Sequence, residues 1–271
     1  MHLISAELSE KQFKKIAQLV YSLCGINLKD GKQALVRARL MKRLRALKMI
    51  GFDEYMDFIE SEQGQGELSL MVDVMTTNKT HFFREPEHFN YLCDHILPKL
   101  NRRRIRFWTA ACSSGEEPFS LAILLREHLQ EIGTQDVKIL ATDISMRMLE
   151  RGRQAVYGEE VLRDVPPMFL QKYFTKGGRS GGRQYRLKEE VRRMVQLAWL
   201  NLMDPWPMKG PFDVIFCRNV MIYFDRQTQQ RLINRFWALL DSGGYLFVGH
   251  SEGLSAVQHK FRYVRPAVYR K

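Results

Sequence analysis

Phe107-Trp108-Thr109-Ala110-Ala111-Cys112-Ser113-Ser114-Gly115-Glu116-Glu117-Pro118 is the stretch whose reading decides the fold. A basic, β-prone run leads into it, five small residues turn the chain, and Phe119-Ser120-Leu121-Ala122-Ile123-Leu124-Leu125 continues at helical spacing. Strand, tight turn and helix make the opening unit of a nucleotide-binding α/β domain. The turn has no Gly-x-x-x-x-Gly-Lys-Ser/Thr, so phosphate transfer loses its main support, and no Gly-x-Gly-x-x-Gly of a dinucleotide site. It offers instead small residues that admit close backbone approach, with two carboxylates where the helix begins.

Outward from the turn, strand and helix alternate. Strands are expected at Ile105 to Thr109, Val137 to Thr142, Val195 to Leu200, Val214 to Cys217 and Tyr245 to Gly249, with a last one around Arg262 to Tyr269. Helices are expected at Phe119 to Gln130, Ser145 to Gln154 and Gln227 to Leu240. Such alternation predicts a mostly parallel sheet covered on both faces, with room for an antiparallel strand at the end. Asp143 stands at a strand end, where open α/β sheets bind ribose hydroxyls, although it also fits a cap for the helix from Ser145. Asn201 and Asn219 each follow a strand, and two amides at neighbouring strand ends would read an adenine edge. The sum is an adenosine-containing cofactor without a pyrophosphate.

One segment breaks the rhythm. Pro166-Pro167 and then Lys176-Gly177-Gly178-Arg179-Ser180-Gly181-Gly182-Arg183, between Tyr173-Phe174 and Tyr185-Arg186-Leu187, predict a hairpin inserted into the α/β domain. Its edge suits capture of an extended peptide by strand addition, and equally a loop without a task.

Residues 9 to 60 read as helices. Phe13, Ile16, Ala17, Val20 and Leu23 repeat at helical spacing, Ser9 with Gln12 forms a capping box, and Gly25 stops the run. On the second helix Leu40, Leu44 and Leu47 share a face, while Arg39, Lys42, Arg43 and Arg45 project around the other. No Asp or Glu lies within residues 31–50, so the run lacks the pairs of an ordinary solvated helix and suits an acidic partner. A polar linker, residues 61–66, precedes more helix. Thr76-Thr77-Asn78-Lys79-Thr80-His81-Phe82-Phe83-Arg84-Glu85 then mixes oxygens, rings and one arginine, and is expected to form a lid over a small-molecule pocket.

Bulk properties narrow the field. The chain of 271 residues, 45% hydrophobic and 27% charged, has the composition of a globular protein with a full core. Its formal net charge of +12 calls for an acidic partner: nucleic acid, anionic lipid or an acidic protein surface. No apolar run is long enough to span a bilayer and the first residues do not resemble a secretory signal, so a cytoplasmic protein without membrane insertion is expected. The four cysteines and the scattered histidines show no metal-ligand spacing, and neither a metal nor a disulfide is expected.

The chain resembles the chemotaxis receptor methyltransferases, the CheR-type protein-glutamate O-methyltransferases. The resemblance is carried by Thr77 to Glu85, Ala110 to Ser120, Ala141-Thr142-Asp143-Ile144 and Phe212 to Asp225, in order, over nearly the whole chain. It implies an α/β, Rossmann-like S-adenosylmethionine-dependent methyltransferase domain (78–271) with a small antiparallel β-subdomain inserted at about 160–193, preceded by an all-helical domain (1–77). It implies cofactor contacts from Asn78, Thr80, Arg84, Glu117, Asp143, Asn201, Leu202, Asn219 and Val220, with Glu116 the alternative to Glu117. It also implies receptor recognition by Arg39, Lys42, Arg43 and Arg45, and in some members capture of a receptor's C-terminal tail by the β-subdomain. Within this expectation a monomer leaves S-adenosylhomocysteine as product, Arg84 orients a reactant and Tyr223 neighbours the methyl group. A nucleic-acid methyltransferase on the same cofactor is the alternative. Against it, Asn201-Leu202-Met203-Asp204-Pro205-Trp206 is not the Asp-Pro-Pro-Tyr type of site, and the basic residues gather on one helix rather than along the crevice.

Overall fold

A computed structural model describes residues 7–129, 132–177 and 183–271. They form two compact units: Met1–Thr77 with Tyr223–Asp225, and Asn78–Ile222 with Arg226–Lys271.

The first unit is helical. Helix α1 (Glu10–Cys24) begins with the capping box, in which Ser9 Oγ accepts the Gln12 amide at 3.3 Å and Gln12 Oε1 accepts the Ser9 amide at 2.8 Å. Gly25 ends it in the left-handed region. Helix α2 (Gln33–Leu47) buries Val36, Leu40, Met41 and Leu44, as the leucine spacing requires, and α3 (Phe52–Glu60) buries Phe52, Tyr55, Met56 and Ile59. The polar linker is shorter than expected. Helix α4 (Gln65–Met75) starts at once after a tight turn at Glu62–Gly64, because Gly64 sits where a Cβ would lie 2.0 Å from the Phe58 carbonyl oxygen. The segment Tyr223–Asp225 is pinned here too: the Asn27 amide donates to the Tyr223 carbonyl at 2.8 Å, Ile26 bridges Phe224, and Tyr21 Oη donates to Asp225 at 2.6 Å.

The second unit opens with the short α5 (Pro86–Tyr91), then runs β1 (Arg104–Ala110), α6 (Glu116–His128), β2 (Asp136–Asp143), α7 (Met146–Gln154), β3 (Val156–Gly158), α8 (Pro167–Tyr173), β4 (Phe174–Gly177), β5 (Gln184–Leu187), α9 (Glu189–Arg192), β6 (Val195–Trp199), β7 (Phe212–Cys217), α10 (Arg226–Leu239), β8 (Leu240–Val248), β9 (Arg262–Arg265) and β10 (Val268–Arg270). Helix α6 begins three residues before the expected Phe119, directly after the turn; its expected end, Gln130, falls outside the described residues. Among the described residues the large sheet has the order β6-β2-β1-β7-β8-β10-β9. From β6 to β8 it is parallel, while β10 runs antiparallel to β8 and β9 antiparallel to β10. The expected single closing strand is therefore a hairpin, folded at Pro266 and at Ala267 with φ 63°. No helix connects β6 to β7; the indole of Trp206 in that connection packs on Trp108 and Phe236 with ring centres 4.8 and 5.1 Å apart.

The inserted β-subdomain is a sheet of order β3-β5-β4. The antiparallel pair β4 and β5 flanks the glycine-rich loop as the sequence suggests, and residues 178–182 of that loop lie outside the described residues. The third strand comes from Val156–Gly158, ahead of the expected start near 160.

Candidate active site

Chain order places the ligand crevice. From β1 the chain moves to β2 and β6 on one side, then returns to β7 on the other, so the order of the parallel strands reverses between β1 and β7. Ligands of open α/β sheets bind outside the carboxyl ends of the strands at such a point. The quoted turn, residues 111–115, leaves β1 there, and Arg218 and Asn219 leave β7 beside it.

The turn is built from unusual backbone. Ala111 (φ 64°), Ser113 (φ 50°) and Gly115 (φ 94°) all lie in the left-handed region, which costs non-glycine residues on the order of 1 kcal/mol or more each and clusters at functional sites. Gly115 is required twice over, since a Cβ there would also lie 2.8 Å from the Phe119 ring. Asp143 holds the turn: its Oδ2 accepts the Ser113 amide at 2.7 Å and its Oδ1 the Ser145 amide at 2.8 Å. The cap of α7 is Ser145 itself, whose Oγ accepts the Met148 amide at 3.1 Å, so Asp143 is an organiser of the crevice rather than a helix cap.

The two carboxylates that begin α6 part company. Glu116 is buried, receives the Ser114 hydroxyl at 2.8 and 2.9 Å, and burial lifts its pKa. Glu117 receives Arg218 Nη1 at 2.8 Å; burial raises its pKa as well, and the Arg218 charge works against that rise.

Arg218 is the centre of a network that sequence reasoning passed over. Its side chain is 2% exposed, pairs with Glu85 at 3.0 Å as well as with Glu117, and donates to the carbonyl of Arg84. Burial works to raise the pKa of Glu85, but Arg218, aided by the Asn219 amide at 3.1 Å, holds it below the usual carboxylate value. A second buried carboxylate, Glu252, fastens the neighbouring loop, accepting the amides of Asn219 at 2.6 Å, Gly249 at 2.7 Å and Ile222 at 3.1 Å. The only hints in the sequence are an arginine directly after the strand that ends at Cys217 and a glutamate after Gly249-His250-Ser251.

The expected lid is packed against the core through its two rings. Phe82 is fully buried against Tyr157 and Phe174, with ring centres 4.9 and 5.5 Å away, and Phe83 packs on Phe89 and Phe169. The rings go into the core, while Asn78, Thr80 and Arg84 stay half-buried. The Asn78 carbonyl accepts Ser113 Oγ at 3.4 Å, and Arg84 Nη1 donates to the Lys79 carbonyl at 2.8 Å. Phe83 (φ 55°) and Glu85 (φ 59°) place Arg84 between two left-handed residues.

The paired-amide expectation fails on topology. Between β6, which Asn201 follows, and β7, which Asn219 follows, lie β2 and β1. At about 4.8 Å per strand the two amides start roughly 14 Å apart, too far to share one adenine edge. Asn219 Nδ2 donates to Glu85, and the Asn201 amide makes a local turn with Asp204 at 3.2 Å and the Met203 amide at 3.1 Å. Asn201 and Leu202 are buried, and Val220 is half-buried. Among the described residues Glu85, His88 and His250 offer ligand atoms within 4.8 Å of one another, but the cation in place at that cluster is Arg218.

Tyr223 and the four basic residues belong to the first unit. Tyr223 is half-buried. Arg43 binds Glu67 of α4 through Nε and Nη2 at 2.7 Å each, so the acidic partner missing from residues 31–50 arrives from another helix. Arg39 donates to the Met75 carbonyl and to Thr77 Oγ1 at 2.7 Å, tying down the end of α4. Lys42 and Arg45 are exposed.

The donor set fits S-adenosylmethionine better than a nucleotide phosphate. Carboxylates at Asp143 and Glu117 border a crevice lined by small residues, which suits hydroxyls and a cationic ligand and repels phosphate. Among the described residues no helix is long and apolar enough to cross a membrane.

Comparison with known proteins agrees. The family model described as the CheR methyltransferase all-alpha domain matches residues 11–76, and that of the CheR methyltransferase SAM binding domain matches residues 78–269. The chain is 42% identical over 258 residues to a probable chemotaxis protein methyltransferase of Rhizobium etli, covering 93% of this chain and 96% of that protein. It is 42% identical over 265 residues to the chemotaxis protein methyltransferase of Escherichia coli, covering 97% and 91%. With chemotaxis protein methyltransferase 2 of Pseudomonas aeruginosa it shares 41% over 263 residues, 96% and 93% of the two chains. With both of its units matched and the crevice assembled from the motifs that carry the likeness, the chain belongs to the CheR methyltransferases, whose catalytic domain binds S-adenosylmethionine.

Proposed function

We propose that this protein methylates glutamate side chains in the cytoplasmic helical domains of chemotaxis receptors, giving γ-glutamyl methyl esters and S-adenosylhomocysteine. The observation that carries the reading is likeness over nearly the whole chain: relatives named chemotaxis protein methyltransferases match 93% and 97% of it, and both the all-alpha and the SAM binding domain are matched.

When bound, S-adenosylmethionine supplies an electrophilic methyl on sulfonium sulfur, which a carboxylate oxygen takes as the C–O bond forms, the S–C bond breaks and its electron pair stays on sulfur. Glutamate, with an ordinary pKa near 4.3, is already ionised at neutral pH, and the chain needs no general base. Its residues have to align, bind and exclude water. Asp143 and the left-handed turn shape the seat of the adenosine portion. Glu117 is assigned to the amino acid portion, with Asn78, Thr80, Asn201, Leu202, Asn219 and Val220 completing the cofactor contacts. Arg84 is assigned to orient a reactant, and Tyr223 to flank the methyl group. Lys42 and Arg45, whose charges are exposed, are the foremost candidates for the receptor's acidic helices, with Arg39 and Arg43 shaping the surface that carries them. The edge strands of the β-subdomain suit a receptor tail peptide, and the protein is assigned to the cytoplasm as a monomer.

Incubation with methyl-labelled cofactor and purified receptor signalling domains, or RNA, tests the proposal. Label is expected on receptor and released as methanol in mild base, because an ester hydrolyses and an N-methyl group does not. Label on RNA alone, or base-stable label on receptor, defeats it.

A further inference from the structure

We propose that Arg218 is a positioning residue that locks the strained Phe83-Arg84-Glu85 segment to the cofactor carboxylate Glu117, and that this lock sets the geometry in which methyl transfer occurs. The inference rests on the methyl-transfer reading for its purpose, though the lock itself stands on geometry.

Three segments distant in sequence meet at one guanidinium. Nη1 donates to Glu117 at the start of α6, Nη2 pairs with Glu85 and donates to the Arg84 carbonyl, and Arg218 itself directly follows β7. A planar fork can serve two carboxylates on different segments at fixed angles, which an ammonium cannot. The rings of Phe89 and Phe216 lie 5.6 and 6.0 Å from the guanidinium carbon and wall it from water.

The held segment needs holding. Phe83 and Glu85 are both left-handed, and Asn219, which follows Arg218 and binds Glu85, is left-handed as well, φ 59°. Such backbone persists only where its surroundings over-determine it. Besides packing, the holds on the segment include the Phe83 amide to Ser120 Oγ at 2.9 Å, the Arg84 side chain to Lys79, the His88 amide to the Glu85 carbonyl at 3.1 Å, and the contacts to Arg218 and Asn219. Arg218 also sets charge. Its charge acts on both Glu85 and Glu117, joined at Glu117 by that of Arg84.

The test compares the whole protein with Arg218→Met, Arg218→Lys and Glu85→Gln. The readings are S-adenosylhomocysteine affinity, amide hydrogen exchange across residues 82–86, melting temperature, and kcat and KM on receptor. Arg218→Met is expected to weaken S-adenosylhomocysteine binding at least tenfold and to speed exchange at residues 83–85, and Arg218→Lys to recover only part of each. Glu85→Gln keeps a side chain able to meet Asn219 but loses the ion pair. It is expected to speed the same exchange and to lower kcat at least fivefold, with S-adenosylhomocysteine affinity within about threefold and melting temperature near the parent. Unchanged exchange at 83–85 in Glu85→Gln overturns the proposal even if Arg218→Met fails to fold, as does full rescue of both readings by Arg218→Lys. A parent protein that binds S-adenosylhomocysteine but methylates no receptor removes the functional reading and leaves the lock to be judged on binding and exchange.

Discussion

Arg43 and Glu67 meet in a bidentate pair, two N–H···O bonds of 2.7 Å each, and Tyr55 Oη adds a third donor to the same carboxylate at 3.0 Å. The Glu67 side chain is 4% exposed, so the pair is part of the core of the helical unit. Removing one partner of a buried pair strands the other charge, at a cost of about 3 kcal/mol. Arg43→Ala is therefore expected to lower the stability of the helical unit by about 2–3 kcal/mol, read as a lower denaturant midpoint by circular dichroism. A loss of receptor methylation in that variant without a loss of stability would point to a receptor contact by Arg43.

Lys42 and Arg45 should behave in the opposite way. Both are exposed, and their replacement by alanine is expected to leave stability within about 0.5 kcal/mol of the parent. The double variant should raise KM for receptor several-fold, flatten its dependence on salt, and leave S-adenosylhomocysteine affinity unchanged in a titration. Unchanged KM would place receptor recognition elsewhere.

Asp143 receives two backbone amides, one from the turn after β1 and one from the start of α7. Asp143→Asn replaces one acceptor by a donor, which then faces an N–H group. A buried unmet donor costs about 1–3 kcal/mol, so S-adenosylhomocysteine affinity should fall by roughly 10- to 100-fold in calorimetry.

His88 makes stability depend on acid. Burial, then the charge of Arg218, pushes its pKa down to about 3, while Glu85 pulls the other way and His250 and Arg265 add to the depression. The folded state thus carries His88 neutral. As pH falls below about 6.5 the unfolded chain takes up a proton that the folded chain refuses, so stability is lost from there down to about pH 3, by at most about 1.4 kcal/mol per pH unit. Above pH 6.5 this group contributes no slope. His88→Phe should flatten the acid limb of a denaturation-against-pH curve; an unchanged limb would show that another group titrates.

Cys24, Cys93, Cys112 and Cys217 are all buried and reduced. Burial pushes the Cys112 thiol in the cofactor turn well up, away from thiolate chemistry. A native-state thiol titration should find no fast-reacting group, and S-adenosylhomocysteine binding should survive brief treatment with an alkylating reagent.

What the sequence revealed was local, and what it concealed was mutual. The small-residue turn, the helix after it and the alternation beyond are properties of adjacent residues, and each appears close to its expected place. The reading of Asn201 and Asn219 as neighbours failed because strands adjacent in the chain are not adjacent in the sheet. Arg43 looked unpartnered because Glu67 lies on a different helix, and Arg218 drew no notice because its partners, Glu85 and Glu117, are some hundred or more residues earlier. A carboxylate such as Glu252 carries no periodic signature at all; only the three amides aimed at it reveal its task.

Phe82 touches Tyr157 on β3 and Phe174 on β4, so one ring mortises the small sheet to the segment that presents Arg84. The β-subdomain is consequently not a freely portable cassette. A chimera that imports this subdomain from a relative inherits a register for the Arg84 segment along with it, and the three rings have to be transplanted as a matched set.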